Sequence, residues 1–188
     1  MTLVELVVVM ALTLIIGTTM YTFFKTNLFT YLNLQKDATS FTGLAVQSQR
    51  IGNVMRGLTN VVSVDTDEIT IYGYFFPTDT YVSLIHYYLN TNGTLLYADV
   101  TPMTSNPPIG TPITAKLKTY TIIDNFKQSP SVNLFTYLDS AGAVMNLPIA
   151  DLHTIKGIRI NLAVSTEIGD NDQAMTLEVS LRNRKTNL

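Results

Sequence analysis

The sequence predicts an α+β fold: one long N-terminal α-helix, membrane-spanning over its first half, packed against a C-terminal antiparallel β-sheet head. Three observations carry this prediction. A nearly uncharged apolar run opens the chain, apolar residues then recur at helical spacing to about residue 60, and from Val61 the pattern changes to strand-like alternation. The chain accordingly divides into an apolar helix over 1–24, an amphipathic continuation over 25–60 and a β-rich head over 61–188.

The apolar helix comes first. Between Met1 and Phe24 the only charged side chain is Glu5, and Lys25 supplies the first positive charge. At about 1.5 Å per residue such a helix extends roughly 36 Å, enough to cross the hydrocarbon core of a bilayer. A secretory signal peptide has a basic start, a shorter apolar run and a small-residue cleavage site; here the apolar run starts at residue 1 with no basic flank. Glu5 is the feature that plain anchoring leaves unexplained. A carboxylate in a membrane segment costs about 2.5–3.5 kcal/mol unless it finds a partner. The amine at Met1 of a neighbouring chain is one partner; a helix start, where the dipole favours negative charge by about 0.3–1 kcal/mol, is the simpler alternative.

The continuation is read from Leu28, Tyr31, Leu32, Ala38, Phe41, Ala45, Met55 and Leu58, which recur at steps compatible with three and four. Asn33, Lys36, Asp37, Gln47, Gln49 and Arg50 fall opposite. No proline precedes Pro77, so the helix is expected to end only around Gly57 to Asn60. Gly17-Thr18-Thr19 is its weak point, pairing glycine with two β-branched residues. The stretch from Ile16 to Thr22 is where helical hydrogen bonds are expected to be lost most readily, with threonine hydroxyls satisfying part of the freed backbone.

The head reads as strands and turns. Glu68–Tyr72, Tyr81–Tyr87, Thr94–Tyr97 and Val132–Leu138 are rich in β-branched and aromatic residues. Asn92-Gly93 predicts a two-residue turn, Ser140-Ala141-Gly142 another turn, and the four prolines between Thr101 and Pro112 a loop. Ile158, Ile160, Leu162 and Val164 alternate cleanly, and Met175, Leu177, Val179 and Leu181 answer them across a loop near Gly169. One antiparallel sheet burying one face against the C-terminal half of the helix is the expected arrangement.

Composition narrows the function classes. Hydrophobic residues make up 46% and charged residues 14%, with a net charge of −2, which argues against disorder and against nucleic-acid binding by overall positive charge. The absence of cysteine removes disulfides, zinc–thiolate sites, iron–sulfur clusters and thiol catalysis. With two histidines, acid–base chemistry is thinly supplied too. No cofactor is expected, and the chain reads as a non-enzyme.

Met1-Thr2-Leu3-Val4-Glu5, followed by the unbroken apolar stretch and a long helix, resembles the mature start of the type IV pilin and type II secretion pseudopilin superfamily. The resemblance implies that a prepilin peptidase cuts before residue 1 and methylates the Met1 amine. Thr2, Leu3 and Glu5 then belong to the assembly machinery, with Glu5 pairing to a neighbour's amine. Many filament-forming pilins carry a proline near position 22, where this chain has Thr22. Further along, Gln49-Arg50-Ile51, Arg56-Gly57-Leu58, Tyr87-Tyr88-Leu89 before Asn92-Gly93, Phe135 to Asp139 with Gly142, and Val179 to Asn183 follow an order similar to J-type minor pseudopilins and W-type minor pilins.

What the resemblance implies is a pilin fold and a structural role. The subunit is held in the cytoplasmic membrane by a single span, then polymerises through its helix into an extracellular or cell-surface filament. Its partners are copies of itself, other pilins, the peptidase, a platform membrane protein and an assembly ATPase. The alternative within the resemblance is a minor tip or initiator pilin, or a pseudopilin, with a binding head. A membrane-anchored enzyme is a third class, in which Glu5 is dispensable and a head carboxylate pair is not.

Other constellations have a simple structural explanation beside the functional one. Asp65-Thr66-Asp67-Glu68 and Asp170-Asn171-Asp172 offer clustered oxygens to calcium, with Asp170 and Asp172 ahead, although Asp and Asn are ordinary turn residues. His86 reads as a partly buried core histidine without a carboxylate partner. Arg182, Arg184 and Lys185 form a basic tail patch that DNA uptake would use, with a solvated strand end as the simpler reading. Asn92-Gly93-Thr94 fits a glycosylation acceptor, which a tight turn explains equally.

Overall fold

A computed structural model describes residues 2–128, 131–165 and 172–181. Helix α1 runs unbroken over Leu3–Arg56 and ends beside Gly57, inside the window that the sequence sets. It is followed by strands β1 (Asn60–Val64), β2 (Glu68–Gly73), β3 (Ser83–Leu89), β4 (Leu96–Pro102), β5 (Lys118–Ile123), β6 (Phe135–Leu138), β7 (Gly157–Val164) and β8 (Gln173–Ser180). Short 3-10 turns at Thr114–Lys116 and Leu152–Thr154 precede β5 and β7. The architecture is α+β, one long helix against antiparallel sheets.

The strands form two sheets where one was expected. β1 to β5 lie in sequence order as a five-stranded meander, and β6, β7 and β8 form a separate three-stranded sheet. β6 pairs with β7 from Phe135↔Ile160 to Leu138↔Gly157, a choice of partner that local alternation does not encode. The two sheets are stitched where the chain leaves β5. The Lys127 N–H donates to the Ala163 carbonyl at 2.9 Å, and the Ser165 N–H to the Asn125 carbonyl at 3.2 Å. At the other side, the Phe135 N–H donates to the Thr66 carbonyl and the buried Tyr137 hydroxyl to the Asp65 carbonyl at 2.7 Å.

Several boundaries move. β3 starts at Ser83 rather than Tyr81, because the Val82 N–H is taken by the Asn106 side chain at 3.0 Å. β4 starts at Leu96 rather than Thr94. The Asn90 carboxamide oxygen accepts from the Thr94 and Leu95 N–H groups at 2.8 and 3.0 Å, so the hairpin turns through a wider loop than the two-residue turn. Only Gly93 in that loop takes a left-handed φ, +65°. β6 is shorter than expected, and β5 is a strand beyond the expected ones, although Thr119-Tyr120-Thr121-Ile122-Ile123 has strand composition.

The expected alternation of β7 holds: Ile158, Ile160, Leu162 and Val164 are all buried. They join Leu44, Ile51, Val54, Met55 and Leu58 of the helix end, together with Ile69, Ile71, Ile85 and Val179, in one core. The helix stripe matches the expected one only at its end, where Met55 and, just past the helix, Leu58 are buried. Leu28, Tyr31, Leu32 and Phe41 are exposed at 41% or more, and the buried positions are Leu44, Ser48, Ile51, Gly52, Val54 and Met55. Periodicity marks every apolar face alike, but sheet lies beside only the last four turns or so.

Small residues set the closeness of that contact. A Cβ at Gly52 would fall 2.7 Å from Leu177 Cδ2 on β8. One turn earlier, the Ser48 hydroxyl lies 2.8 Å from the Ala45 carbonyl and 2.9 Å from Met175 Sδ. This small-residue pair at i, i+4 brings β8 onto the helix, and the sequence reading missed it.

Candidate functional site: the exposed apolar helix

The first turn is built as a capping box. The Glu5 N–H donates to Thr2 Oγ1 at 3.4 Å, and Glu5 Oε2 accepts from the Thr2 N–H at 2.8 Å. Two of the four donors left unpaired at any helix start are thereby satisfied. The structure thus brings together Thr2 and Glu5, two of the expected assembly residues, and gives Glu5 a local partner. Leu3 beside them is 80% exposed, and Met1 lies outside the described residues.

The polar side chains along the apolar run fold back onto the helix. Thr13 Oγ1 donates to the Val9 carbonyl at 2.7 Å. The Thr18 hydroxyl sits on the carbonyls of Leu14 and Ile15, and the Thr19 hydroxyl on those of Ile15 and Ile16, all between 2.8 and 3.0 Å. Thr22 does the same with Thr18 and Thr19. Such back-bonding hides each hydroxyl from an apolar surrounding and also offers the carbonyls a second donor. The helix is continuous through Gly17, and nothing lies within 4 Å of where a Gly17 Cβ would stand.

What distinguishes this region is uncovered apolar surface. Among the described residues, Leu3–Arg56 is the helix long and apolar enough to cross a membrane, and no part of its most apolar stretch is buried within the chain. Exposed aliphatic and aromatic side chains continue well past Lys25, through Leu28, Phe29, Tyr31, Leu32, Leu34 and Phe41. A contiguous apolar surface of this extent marks a site that lipid or protein covers.

No family model matches the chain, and no curated protein matches it.

The remaining candidates fall as follows. Asp170 lies outside the described residues, as do Arg182, Arg184 and Lys185. Asp172 forms an ion pair with Lys127 at 3.0 Å. In the other acidic turn, Asp65 accepts from the Thr66 N–H and Asp67 from the Gln128 side chain. No group of three His, Asp or Glu side chains placed to hold a metal occurs among the described residues. His86 is not a core residue. It stands on the outer face of the five-stranded sheet, 3.2 Å from Glu68 and stacked on Tyr88 at 4.8 Å, so it has the carboxylate partner that the sequence did not reveal. The Tyr88 phenol is pushed above its ordinary value, first by partial burial and then by Asp99. In the turn after β3, Thr94 Oγ1 accepts a hydrogen bond from Asn90.

Proposed function

We propose that this chain is a structural subunit of a type IV pilus-like filament, held in the cytoplasmic membrane and polymerised through α1. The carrying observation is a mismatch between the helix and any one covering. A bilayer core takes about 20 helical residues, which accounts for Leu3 to about Phe24. The apolar side chains from Leu28 to Phe41 lie beyond that span and are not covered by the head. Helices of other copies, lying along this one, would cover both stretches at once.

Cohesion then comes from close packing and from paired charges, because moving a helix out of lipid gains little hydrophobic free energy. In the assembled state Glu5 exchanges its capping contact for the amine of a neighbouring copy, which fixes the axial register. Gly17 to Thr19 is the segment that lengthens as the helices pack, its back-bonded threonines holding the freed carbonyls.

The test is Glu5→Ala, followed through membrane insertion and filament recovery. Insertion is expected to persist while sheared filament falls at least tenfold; wild-type filament yield would overturn the charge pairing. Mass spectrometry of sheared filaments reads the N-terminal peptide and copy number together. A dominant, N-methylated chain makes it the main subunit, a processed trace component makes it a tip or initiating subunit, and an unmethylated chain confined to membranes overturns the proposal.

A further inference from the structure

The head carries a cleft of about 580 Å³ where the start of β3, the end of β4 and the start of β5 meet. Its position follows from register. Ser83 at the start of β3 faces Gly73 and Pro102, and Gly73 backs onto Leu58 just past the end of α1. The volume lies within the usual range of roughly 300–1,000 Å³ for small-ligand sites.

Its lining combines three chemistries. Phe76, Tyr81 and Tyr120 give aromatic walls, and Tyr81 is 43% exposed at the rim. Lys116 and Lys118 line the cleft and form no ion pair among the described residues. Asp79, the carboxylate in the lining, is turned toward its own loop, where it accepts from the Phe76 N–H at 3.0 Å. The cleft is thus locally cationic on a chain whose net charge is −2. Finally, Ser83 is 2% exposed and lines the cleft, and its hydroxyl has no hydrogen-bond partner among the described residues. That hydroxyl is open to the cleft rather than sealed off, since the buried side-chain polar atom without a partner among the described residues is Gln47 Oε1.

We propose that this cleft binds a saccharide bearing carboxylate groups. The lysines hold the carboxylates as point charges, the aromatic walls take the apolar C–H faces of the ring, and Ser83 meets a sugar hydroxyl. A nucleobase is disfavoured by the ring geometry. Phe76 and Tyr120 meet edge to face, 5.9 Å apart at 76°, which leaves no slot between parallel rings. A small inorganic anion would leave the aromatic walls unused. This site stands independently of polymerisation, so either proposal can fail alone.

The experiment is calorimetric titration of the full chain in detergent micelles with tetragalacturonate, with maltotetraose, adenosine monophosphate and inorganic phosphate titrated in parallel. Saturable binding of tetragalacturonate is expected, at least tenfold tighter than any of the other three. The double variant Lys116→Gln/Lys118→Gln is expected to weaken it at least tenfold, and Tyr81→Ala, at the exposed rim, at least fivefold. Circular dichroism confirms that each variant keeps its fold, and Lys118→Gln alone serves if the double variant does not. No binding, equal binding of the neutral sugar, tighter binding of the nucleotide or phosphate, or binding indifferent to these substitutions would each overturn the assignment.

Discussion

The two ends of α1 have the same secondary structure and similarly apolar faces, yet opposite surroundings. Leu32 is 48% exposed, whereas Leu44, three turns later, is 2% exposed. The first has no sheet beside it and the second sits in the core shared by both sheets. An apolar stripe is therefore a demand for a partner and does not identify that partner. For Leu44 to Leu58 the partner is this chain's own head; for Leu3 to Phe41 it has to come from outside.

The sharpest way to break this comparison is to make the same change on both sides. Leu44→Ala empties a closed core site and is expected to cost about 3 kcal/mol of head stability, read as a lower urea midpoint. Overfilling the helix–β8 contact comes next. Gly52→Leu pushes against Leu177, already within 2.7 Å of an added Cβ, and is expected to cost about 2 kcal/mol. Gly52→Ala, by contrast, meets only the movable end of Leu177 and gains helix propensity, so its effect should be near zero.

A smaller effect tests how the two sheets hold together. Tyr137→Phe removes the hydroxyl that donates to the Asp65 carbonyl and is expected to cost about 1 kcal/mol. It also has a pH signature. Burial, aided by Asp65 and Glu68, pushes the Tyr137 phenol well above its ordinary value, and burial does the same to Tyr87. Above about pH 10 the unfolded chain releases these protons while the folded chain keeps them. The stabilisation is therefore complete below pH 10 and is lost as pH rises beyond it. Urea midpoints between pH 8 and pH 11 should fall steeply for the native protein and less steeply for Tyr137→Phe.

A truncation on the exposed side has a small effect on stability. Leu32→Ala is expected to change the urea midpoint of the head by less than about 0.5 kcal/mol while still reducing filament recovery. If it destabilises the head as much as Leu44→Ala, the two ends of the helix are not distinct and the assembly reading loses its main support.

Much of this was legible in the residues. The α+β class, the end of the helix near Gly57 and the burial of alternate β7 residues follow from local periodicity, which the backbone geometry of each element imposes directly. The Thr2–Glu5 capping box was visible as a spacing, though Glu5 was read toward a neighbouring chain and the helix-start alternative is what the single chain shows. Less legible were features built by long-range pairing. The contact of His86 with Glu68 needs β2 and β3 in register, and the contacts of Ser48 and Gly52 with Met175 and Leu177 need β8 against the helix. Neither residue carries a local signal beyond a polar or small side chain inside a stripe.

The sequence by itself determined where the chain is helical and where it is extended, because those choices depend on neighbours three or four residues away. It also determined that the first part of the helix is too apolar to stand in water. Only the tertiary structure decided which stretch of the apolar face is consumed internally, that the strands separate into five and three, and that Tyr81, Ser83, Lys116 and Lys118 converge on one cleft. Those outcomes turn on contacts between residues tens of positions apart, whose register is selected by mutual burial and hydrogen bonding rather than by any local pattern.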